Sequence, residues 1–250
     1  MEREIWVEQI TVACEERHRQ RAAWVDSVTN VLAPQTLFSE LRKCLPHDAI
    51  VVLDGNITLA VGQALLSAQT PCGWLDPGSS GCMGVGIPLG IGAKLTAPDR
   101  MVVVVCGDFG FGLSATELET AARQRIPIIV IVMNNDGITG ALRQSQRFPP
   151  DYPELFSRFQ PTLRYDTVSQ ALGCHSEFVT ERAAIGPAFA RAAASGIPAC
   201  TQRPKPQPAV PGDVRSAKCA CAFAFRRVVE RDAPPESPPV HQIRPRGPSV

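Results

Sequence analysis

Long apolar runs, a charge imbalance and a leader segment are all missing from this sequence of 250 residues. Its apolar runs stop far short of the roughly 20 residues that cross a bilayer, so a membrane protein is not expected. The net charge is +1, which gives no basic surface for nucleic acid. Glu2, Glu4 and Glu8 lie where a secretory leader would need an apolar core. These absences predict a cytoplasmic globular protein.

Metal-binding cysteine patterns are also missing, although the chain has nine cysteines. No pair has the spacing of zinc ligands, and Cys219 and Cys221 form a lone C-x-C without partners. Without a secretory leader, these residues are expected to be reduced thiols. An apolar fraction of 44% and a charged fraction of 20% are typical of a globular domain with its own core.

Two short apolar runs with a helical pattern between them form the clearest part of the chain. Residues 101–106 and 126–133 are rich in Val and Ile and lack polar alternation, which is typical of strands buried in a parallel sheet. Residues 114–125 have helical spacing, and Ser114 precedes Glu117 as in a capping box. The segment predicts a doubly wound α/β fold with a parallel sheet.

Glycines and polar side chains follow both runs, where the predicted strands end. The first end is GDFG at residues 107–110, and the second is NNDG at residues 134–137. Ligands of open parallel sheets bind at the carboxyl ends of the strands. A carboxylate, a carboxamide and backbone carbonyls would give Mg²⁺ the oxygen ligands that it prefers. Each loop alone is more typical of an ordinary turn, but together they favour a cofactor site.

This pair of loops resembles the GDG and NN signature of thiamine diphosphate-dependent enzymes, and the spacer of residues 109–134 is in the family's range. The resemblance implies that Asp108, Asn135 and the backbone carbonyl of Gly137 hold Mg²⁺ against the cofactor diphosphate. Further cofactor neighbours are implied at Gly107, Phe109, Gly110 and Ile138. Phe109 stands where the signature has glycine, a departure that 2-hydroxyacyl-CoA lyases also tolerate.

A glycine-rich segment, residues 72–95, resembles a second element of the same family. Its glycines are too many for an ordinary helix, because each costs about 1 kcal/mol relative to Ala. The family's G-x-M-G-x-G element matches GCMGVG at residues 81–86. Gly81 and Met83 are implied as catalytic: the Gly81 carbonyl would accept a hydrogen bond from the cofactor amine, and Met83 would wedge between the cofactor rings. The alternatives are a plain core methionine at position 83 and a dinucleotide fingerprint over residues 84–86.

A third loop follows the predicted strand over residues 49–53. It has the sequence DGN at residues 54–56 and precedes a helical pattern over residues 58–67. By resemblance, Gly55, Asn56 and Ile57 border the diphosphate. An ordinary turn from strand to helix accounts for these residues equally well.

Three regions are expected along the chain. Residues 1–33 predict an amphipathic helix that is the remnant of a linker, and residues 34–200 the thiamine diphosphate-binding domain. From residue 201 the chain carries ten of its 23 prolines, which predicts a disordered tail over residues 201–250. Further elements are expected as helices over residues 37–44, 166–172 and 181–194, and as strands over residues 177–179 and 197–200. Arg143, Gln144 and Arg147 would contact an anionic substrate or, more simply, be exposed helix charges.

The resemblance implies a carbon–carbon lyase or synthase that acts on a small 2-hydroxyacyl-CoA or 2-oxo acid substrate, as 2-hydroxyacyl-CoA lyases and acetolactate synthases do. It covers one domain of a family built from three. The pyrimidine-binding domain, which supplies an activating glutamate in that family, is therefore expected from another chain or from a partner in a homo-oligomer. The alternative is a non-catalytic domain that binds the cofactor weakly or dimerises with a full-length relative.

Overall fold

Parallel strands form one sheet in the part of the chain that the structure describes. The computed structural model describes residues 2–27, 32–138, 159–160 and 163–203. Its strands are β1 (Ile50–Asp54), β2 (Trp74–Leu75), β3 (Val102–Gly107), β4 (Ile129–Met133), β5 (His175–Phe178) and β6 (Ala199–Arg203). Their order is β2-β1-β3-β4-β6-β5, and each neighbouring pair is parallel.

Helices connect these strands. They are α1 (Glu2–Asp26), α2 (Pro34–Cys44), α3 (Asn56–Leu65), α4 (Gly86–Thr96), α5 (Asp108–Ser114), α6 (Glu117–Arg123), α7 (Tyr165–Ala171) and α8 (Ile185–Ala194), with short 3-10 turns at Gly78–Ser80 and Arg182–Ala184. None of the helices described here is long and apolar enough to cross a membrane.

The core is divided by the sheet, because successive residues of a strand point to opposite faces. Val51 and Val103 lie on one face and pack with α2, α3 and α8. Val52 and Val104 lie on the other face and pack with α4, α5, α6 and α7. Helices on both faces of a parallel sheet confirm the predicted doubly wound α/β fold.

The winding direction changes at β1, since β2 is added on one side of it and β3 on the other. In register, Asp54 of β1 is opposite Cys106 of β3, and Gly107 of β3 is opposite Met133 of β4. The loops that follow these three strands therefore meet at one edge of the sheet. In doubly wound folds this is the crevice where ligands bind.

The predicted capping box is wrong. The helical segment begins directly after β3, and Ser114 is the last residue of α5 instead of the cap of the next helix. Its hydroxyl donates to the carbonyl of Gly110, four residues earlier, at 3.5 Å. Thr116 precedes α6 and makes no side-chain capping hydrogen bond.

The N-terminal helix is confirmed over Glu2–Asp26, but it is not amphipathic. Ile5, Trp6 and Val7 are all exposed, and consecutive residues of an α-helix point about 100° apart, so these side chains do not share one face. Trp24 and Val25, near its end, pack against the core. Its origin as a linker remnant stays a prediction.

Some predictions concern residues outside the described part of the chain. Arg143, Gln144 and Arg147 lie there, as does the predicted disordered tail beyond residue 203. The last predicted strand, residues 197–200, is described and forms β6, which begins two residues later and continues to Arg203.

Candidate functional site

A cleft that is open to solvent lies at the carboxyl ends of β1, β3 and β4. Every residue predicted to border a cofactor lines this cleft, except Gly81. The lining is formed by Pro34, Gly55, Asn56, Ile57, Thr58, Met83, Gly107, Asp108, Phe109, Gly110, Met133, Asn134, Asn135, Gly137 and Ile138. The fold thus brings together three loops that are far apart in the sequence.

Asp108 connects two of these loops. Its carboxylate is 2% exposed and accepts backbone N–H groups from Phe109 at 2.8 Å, from Gly137 at 2.9 Å and from Asn135 at 3.3 Å. Burial raises the pKa of the Asp108 carboxyl above its ordinary value, while these N–H groups lower it in part. The loop after β4 is therefore folded around the side chain that follows β3.

Asn135 brings a further oxygen-bearing group to the same place. One terminal atom of its amide lies 2.7 Å from the carbonyl oxygen of Gly137 and 3.1 and 3.2 Å from the carboxylate oxygens of Asp108. With nitrogen in that position, Asn135 donates hydrogen bonds to these oxygens. With oxygen in that position, the Asn135 amide, the Asp108 carboxylate and the Gly137 carbonyl present only acceptors to one another. A cation between them would stabilise this arrangement.

The chemistry of these groups is compatible with Mg²⁺, which is commonly bound through one or two protein carboxylates, with ligand phosphates and water completing its octahedron. The terminal atom of the Asn135 amide lies between the Asp108 carboxylate and the Gly137 carbonyl, 2.7 to 3.2 Å from their oxygens. Among the described residues, no cluster of three or more His, Cys, Asp or Glu side chains could hold a metal.

The turn after β4 places the Gly137 carbonyl. Asn134 is buried, and its side-chain oxygen accepts the backbone N–H of Asp136 at 2.9 Å. Asp136 lies in the left-handed region with φ of 56°, which aspartate tolerates better than most residues. The Asp136 carbonyl accepts the N–H of Phe159 at 3.0 Å, and the Phe159 ring stacks on Phe109 with 6.1 Å between centroids.

The loop after β1 is a turn from strand to helix. Gly55 has φ of 100°, and Asn56 and Ile57 begin α3. The first N–H groups of a helix have no partners within it, which suits an anionic ligand. The geometry of this loop is compatible with both interpretations of its sequence, as a border of the diphosphate and as an ordinary turn from strand to helix.

Met83 is not a core methionine, because 42% of it is exposed and it lines the cleft. Gly81, with φ of 60°, follows the 3-10 turn Gly78–Ser80. Since a 3-10 turn and not a strand precedes residues 84–86, the context of a dinucleotide fingerprint is missing. The predicted contact between the Gly81 carbonyl and a cofactor amine stays a prediction.

Two buried groups near the cleft were not predicted from the sequence. Asp54, the last residue of β1, is 1% exposed, and burial raises the pKa of its carboxyl. Tyr165 makes an edge contact with Phe111, and burial, with the charges of Asp108 and Asp136, raises the pKa of its hydroxyl to about 12. A carboxylate that ends a buried strand could have marked Asp54, whereas no sequence pattern marks Tyr165.

A doubly wound sheet with an oxygen-lined cleft at its switch point defines a class of α/β proteins that bind anionic cofactors. Residues 55–202 match the family described as "Thiamine pyrophosphate enzyme, C-terminal TPP binding domain". The chain belongs to this family and carries its cofactor-binding domain. The resemblance that the GDFG, NNDG and GCMGVG motifs indicated is therefore confirmed.

Individual relatives agree with this assignment. A probable acetolactate synthase of Mycobacterium bovis is 35% identical over 195 residues, which are 78% of this chain and 35% of that protein. A 2-hydroxyacyl-CoA lyase of Oryza sativa is 40% identical over 175 residues, or 67% of this chain and 30% of that protein. The solved thiamine diphosphate-dependent 4-hydroxybenzoylformate decarboxylase of Rhodococcus jostii is 27% identical with a TM-score of 0.61, covering 71% of this chain and 33% of that one. The chain thus spans about a third of the length of these relatives.

Proposed function

We propose that this chain binds thiamine diphosphate together with Mg²⁺, as the cofactor-binding part of a carbon–carbon lyase or synthase. The observation that carries the proposal is the convergence of the Asp108 carboxylate, the Asn135 amide and the Gly137 carbonyl, with one terminal amide atom of Asn135 2.7 to 3.2 Å from oxygens of the other two. These oxygens lie in the cleft of a domain whose family binds this cofactor.

Asp108 supplies the negative charge of the metal site, and Asn135 and the Gly137 carbonyl supply neutral oxygens. Mg²⁺ is commonly bound by a few protein oxygens, with ligand phosphates and water completing its coordination. The N-terminus of α3, with Gly55, Asn56 and Ile57, lies on the same cleft and suits the negative charge of a diphosphate.

Met83 offers an apolar surface in the cleft for the organic part of the cofactor. Gly81 would accept the cofactor amine through its carbonyl, an assignment supported by the family resemblance alone. When bound, thiamine diphosphate supplies an electron sink for breaking or forming carbon–carbon bonds. The protein orients it and excludes water.

The names of the relatives support a substrate class for this proposal. Proteins named acetolactate synthase and 2-hydroxyacyl-CoA lyase match most of this chain at 35% and 40% identity. Their names support a 2-oxo acid or a 2-hydroxyacyl-CoA as the substrate of the whole enzyme. Phe109 stands where the family signature has glycine, a departure that 2-hydroxyacyl-CoA lyases also tolerate. This residue therefore supports a 2-hydroxyacyl-CoA as the substrate.

A second protein domain would complete the cleft. Met83, which lines the cleft, is 42% exposed, and Leu113 of α5, which lies beside Gly84, is 55% exposed, although both are apolar. Exposed apolar side chains of this kind mark surfaces that another protein segment covers. In this proposal the covering segment is a pyrimidine-binding domain from another chain or from a homo-oligomer partner.

Calorimetric titration of the Asp108→Asn variant with thiamine diphosphate and Mg²⁺ tests the metal site. The substitution keeps the shape of the side chain and removes its charge. Affinity should fall by more than about 100-fold, because losing a direct ligand costs more than the roughly 10- to 100-fold lost with outer hydrogen-bond partners.

Glu119→Gln is the matched control. It also removes one negative charge, but from an exposed ion pair with Arg123. Its affinity should equal that of the wild-type chain. Wild-type affinity in Asp108→Asn would remove Asp108 from the metal site.

A further inference from the structure

Asp54 is a buried carboxylate with unusual surroundings. It ends β1 at an exposure of 1%, and no described residue forms an ion pair with it. A buried charge of this kind is costly unless other groups stabilise it. Its partners therefore indicate why the carboxylate is there.

The partners are backbone N–H groups at the start of α4. Gly84 donates to the carboxylate at 2.9 and 3.2 Å, and Gly86 donates at 2.8 Å. Gly86 is the first residue of an eleven-residue helix, so these donors belong to the helix end whose N–H groups lack partners within the helix. The positive end of the helix dipole further favours a negative charge at this point. Asp54 thus caps α4 from a different element, a strand.

Glycines let the carboxylate come this close. A Cβ atom on Gly86 would lie 2.7 Å from the Cβ atom of Asp54, and one on Gly110 would lie 3.2 Å from its Oδ1 atom. Gly84 has φ of 84°, a region that side chains rarely adopt. The Asp54 carboxylate is therefore packed between the start of α4 and the first turn of α5, which carries Asp108.

Met83 is the residue directly before the first of these donors. We infer that Asp54 is a positioning residue that fixes the Gly84–Gly86 backbone and thereby holds Met83 at the cleft. This inference rests on the proposed cofactor site, and it assigns to that site a residue that never contacts the cofactor. Through Asp54, the end of β1 affects the position of Met83, which lies about thirty residues further along the chain.

Asp54→Asn tests the inference, because it removes the negative charge and replaces one of the two acceptor oxygens with an N–H donor, while the side-chain volume stays nearly the same. Exchange of the Gly84 and Gly86 amide hydrogens in the full chain should become faster by about 10-fold or more. Methyl-labelled methionine gives a second readout, since the sequence has only four methionines and Met83→Leu assigns the signal. The Met83 methyl should lose its response to thiamine diphosphate with Mg²⁺, while Met133, on the metal side of the cleft, keeps its own.

Gly86→Ala is a second variant that leaves the carboxylate intact but displaces the backbone that it binds. It should have the same effect on Met83. Gly92→Ala is the control, because a Cβ atom there meets nothing within 4 Å in the same helix. Both readouts should match the wild-type chain in this control.

The outcomes separate this inference from the proposed function. Unchanged amide exchange and an unchanged Met83 response in both Asp54→Asn and Gly86→Ala would overturn the role of Asp54. Equal loss of the Met83 and Met133 responses would also overturn it, since that indicates general unfolding. If neither methyl responds in the wild-type chain, the proposed cofactor site fails, and the exchange rates alone decide whether Asp54 holds the loop.

Discussion

Asp54 and Asp108 are buried carboxylates at neighbouring strand ends, and they stabilise different loops. Asp108 accepts N–H groups of the loop after β4 and lies beside the amide of Asn135. Asp54 accepts N–H groups at the start of α4. Substitution of Asp108 is therefore expected to affect the proposed metal site, and substitution of Asp54 the Met83 side of the cleft.

Phe109 and Phe159 give a residue-level prediction. Their rings stack at 6.1 Å with an angle of 29° between planes, and both border the turn that places Gly137. A double-mutant cycle with Phe109→Leu and Phe159→Leu should give a coupling free energy of about 0.5–1.5 kcal/mol, the range of aromatic pairs. Urea unfolding of the four proteins measures it. Additive effects of the two substitutions would show that the pair is not coupled.

The sequence marked Asp108 but not Asp54, for a physical reason. Asp108 and Asn135 follow short apolar runs and belong to motifs that match the family signature, so their place at the sheet edge follows from the fold class. The partners of Asp54 are 30 and 32 residues away, and only the folded backbone shows that they meet. The exposure of Met83 likewise could not be predicted from the sequence, because it depends on which residues cover this side chain in the folded domain.

At the scale of elements, α4 packs closely on the sheet through a glycine. A Cβ atom on Gly90 would lie 2.4 Å from the Cγ2 atom of Val104 in β3. Gly90→Ala should therefore lower the free energy of unfolding by about 1–3 kcal/mol, as overpacking does. Gly92→Ala, in the same helix but without neighbours within 4 Å, should instead raise it by up to about 1 kcal/mol through helix propensity.

Urea unfolding of both variants measures this difference. Equal stability of Gly90→Ala and Gly92→Ala would contradict the close contact between α4 and β3.

The apolar runs predicted β1, β3 and β4 within one to three residues of their observed bounds, since strands buried on both faces have an unbroken apolar signal. The two-residue strand β2 has no such signal, and it pairs with β1 at the sheet edge. The predicted capping box was wrong because α5 begins at Asp108, directly after β3. The buried Asp108 side chain and the nearby glycines allow this turn from strand to helix. Local motifs therefore predicted helix ends less well than apolar patterns predicted strands.

The whole molecule should lose stability at alkaline pH. Cys200 is fully buried in β6, and burial raises the pKa of its thiol from 9.0 to about 12. Between these values the unfolded chain releases a proton that the folded chain keeps, so the free energy of unfolding falls as pH rises. Each such group contributes a slope of about −1.4 kcal/mol per pH unit.

Cys200→Ala isolates this contribution. Its stability at neutral pH should be lower because of the cavity, but its slope against pH between about 9 and 11 should be less negative by about 1.4 kcal/mol per unit. Urea unfolding across this pH range gives both values. An unchanged slope would show that Cys200 ionises as readily in the folded chain as in the unfolded one.

At the scale of the whole molecule, the chain also differs in length from its relatives. It spans 30% to 35% of their length, and the described structure accounts for one cofactor-binding sheet. Met83, which lines the cleft, and Leu113 of α5 give this domain an exposed apolar side. Sequence alone could not predict this open side, because exposure is a property of the folded domain.

The most direct measurement is calorimetric titration of the wild-type chain with thiamine diphosphate in Mg²⁺, in Ca²⁺ and in EDTA. A single carboxylate beside a carboxamide and a backbone carbonyl in the cleft suits Mg²⁺ that also binds ligand phosphates, so we predict binding of one cofactor per chain in Mg²⁺, weaker binding in Ca²⁺ and none in EDTA. Equal binding in EDTA would contradict a metal site at Asp108, and no binding under any condition would contradict a cofactor site in this chain.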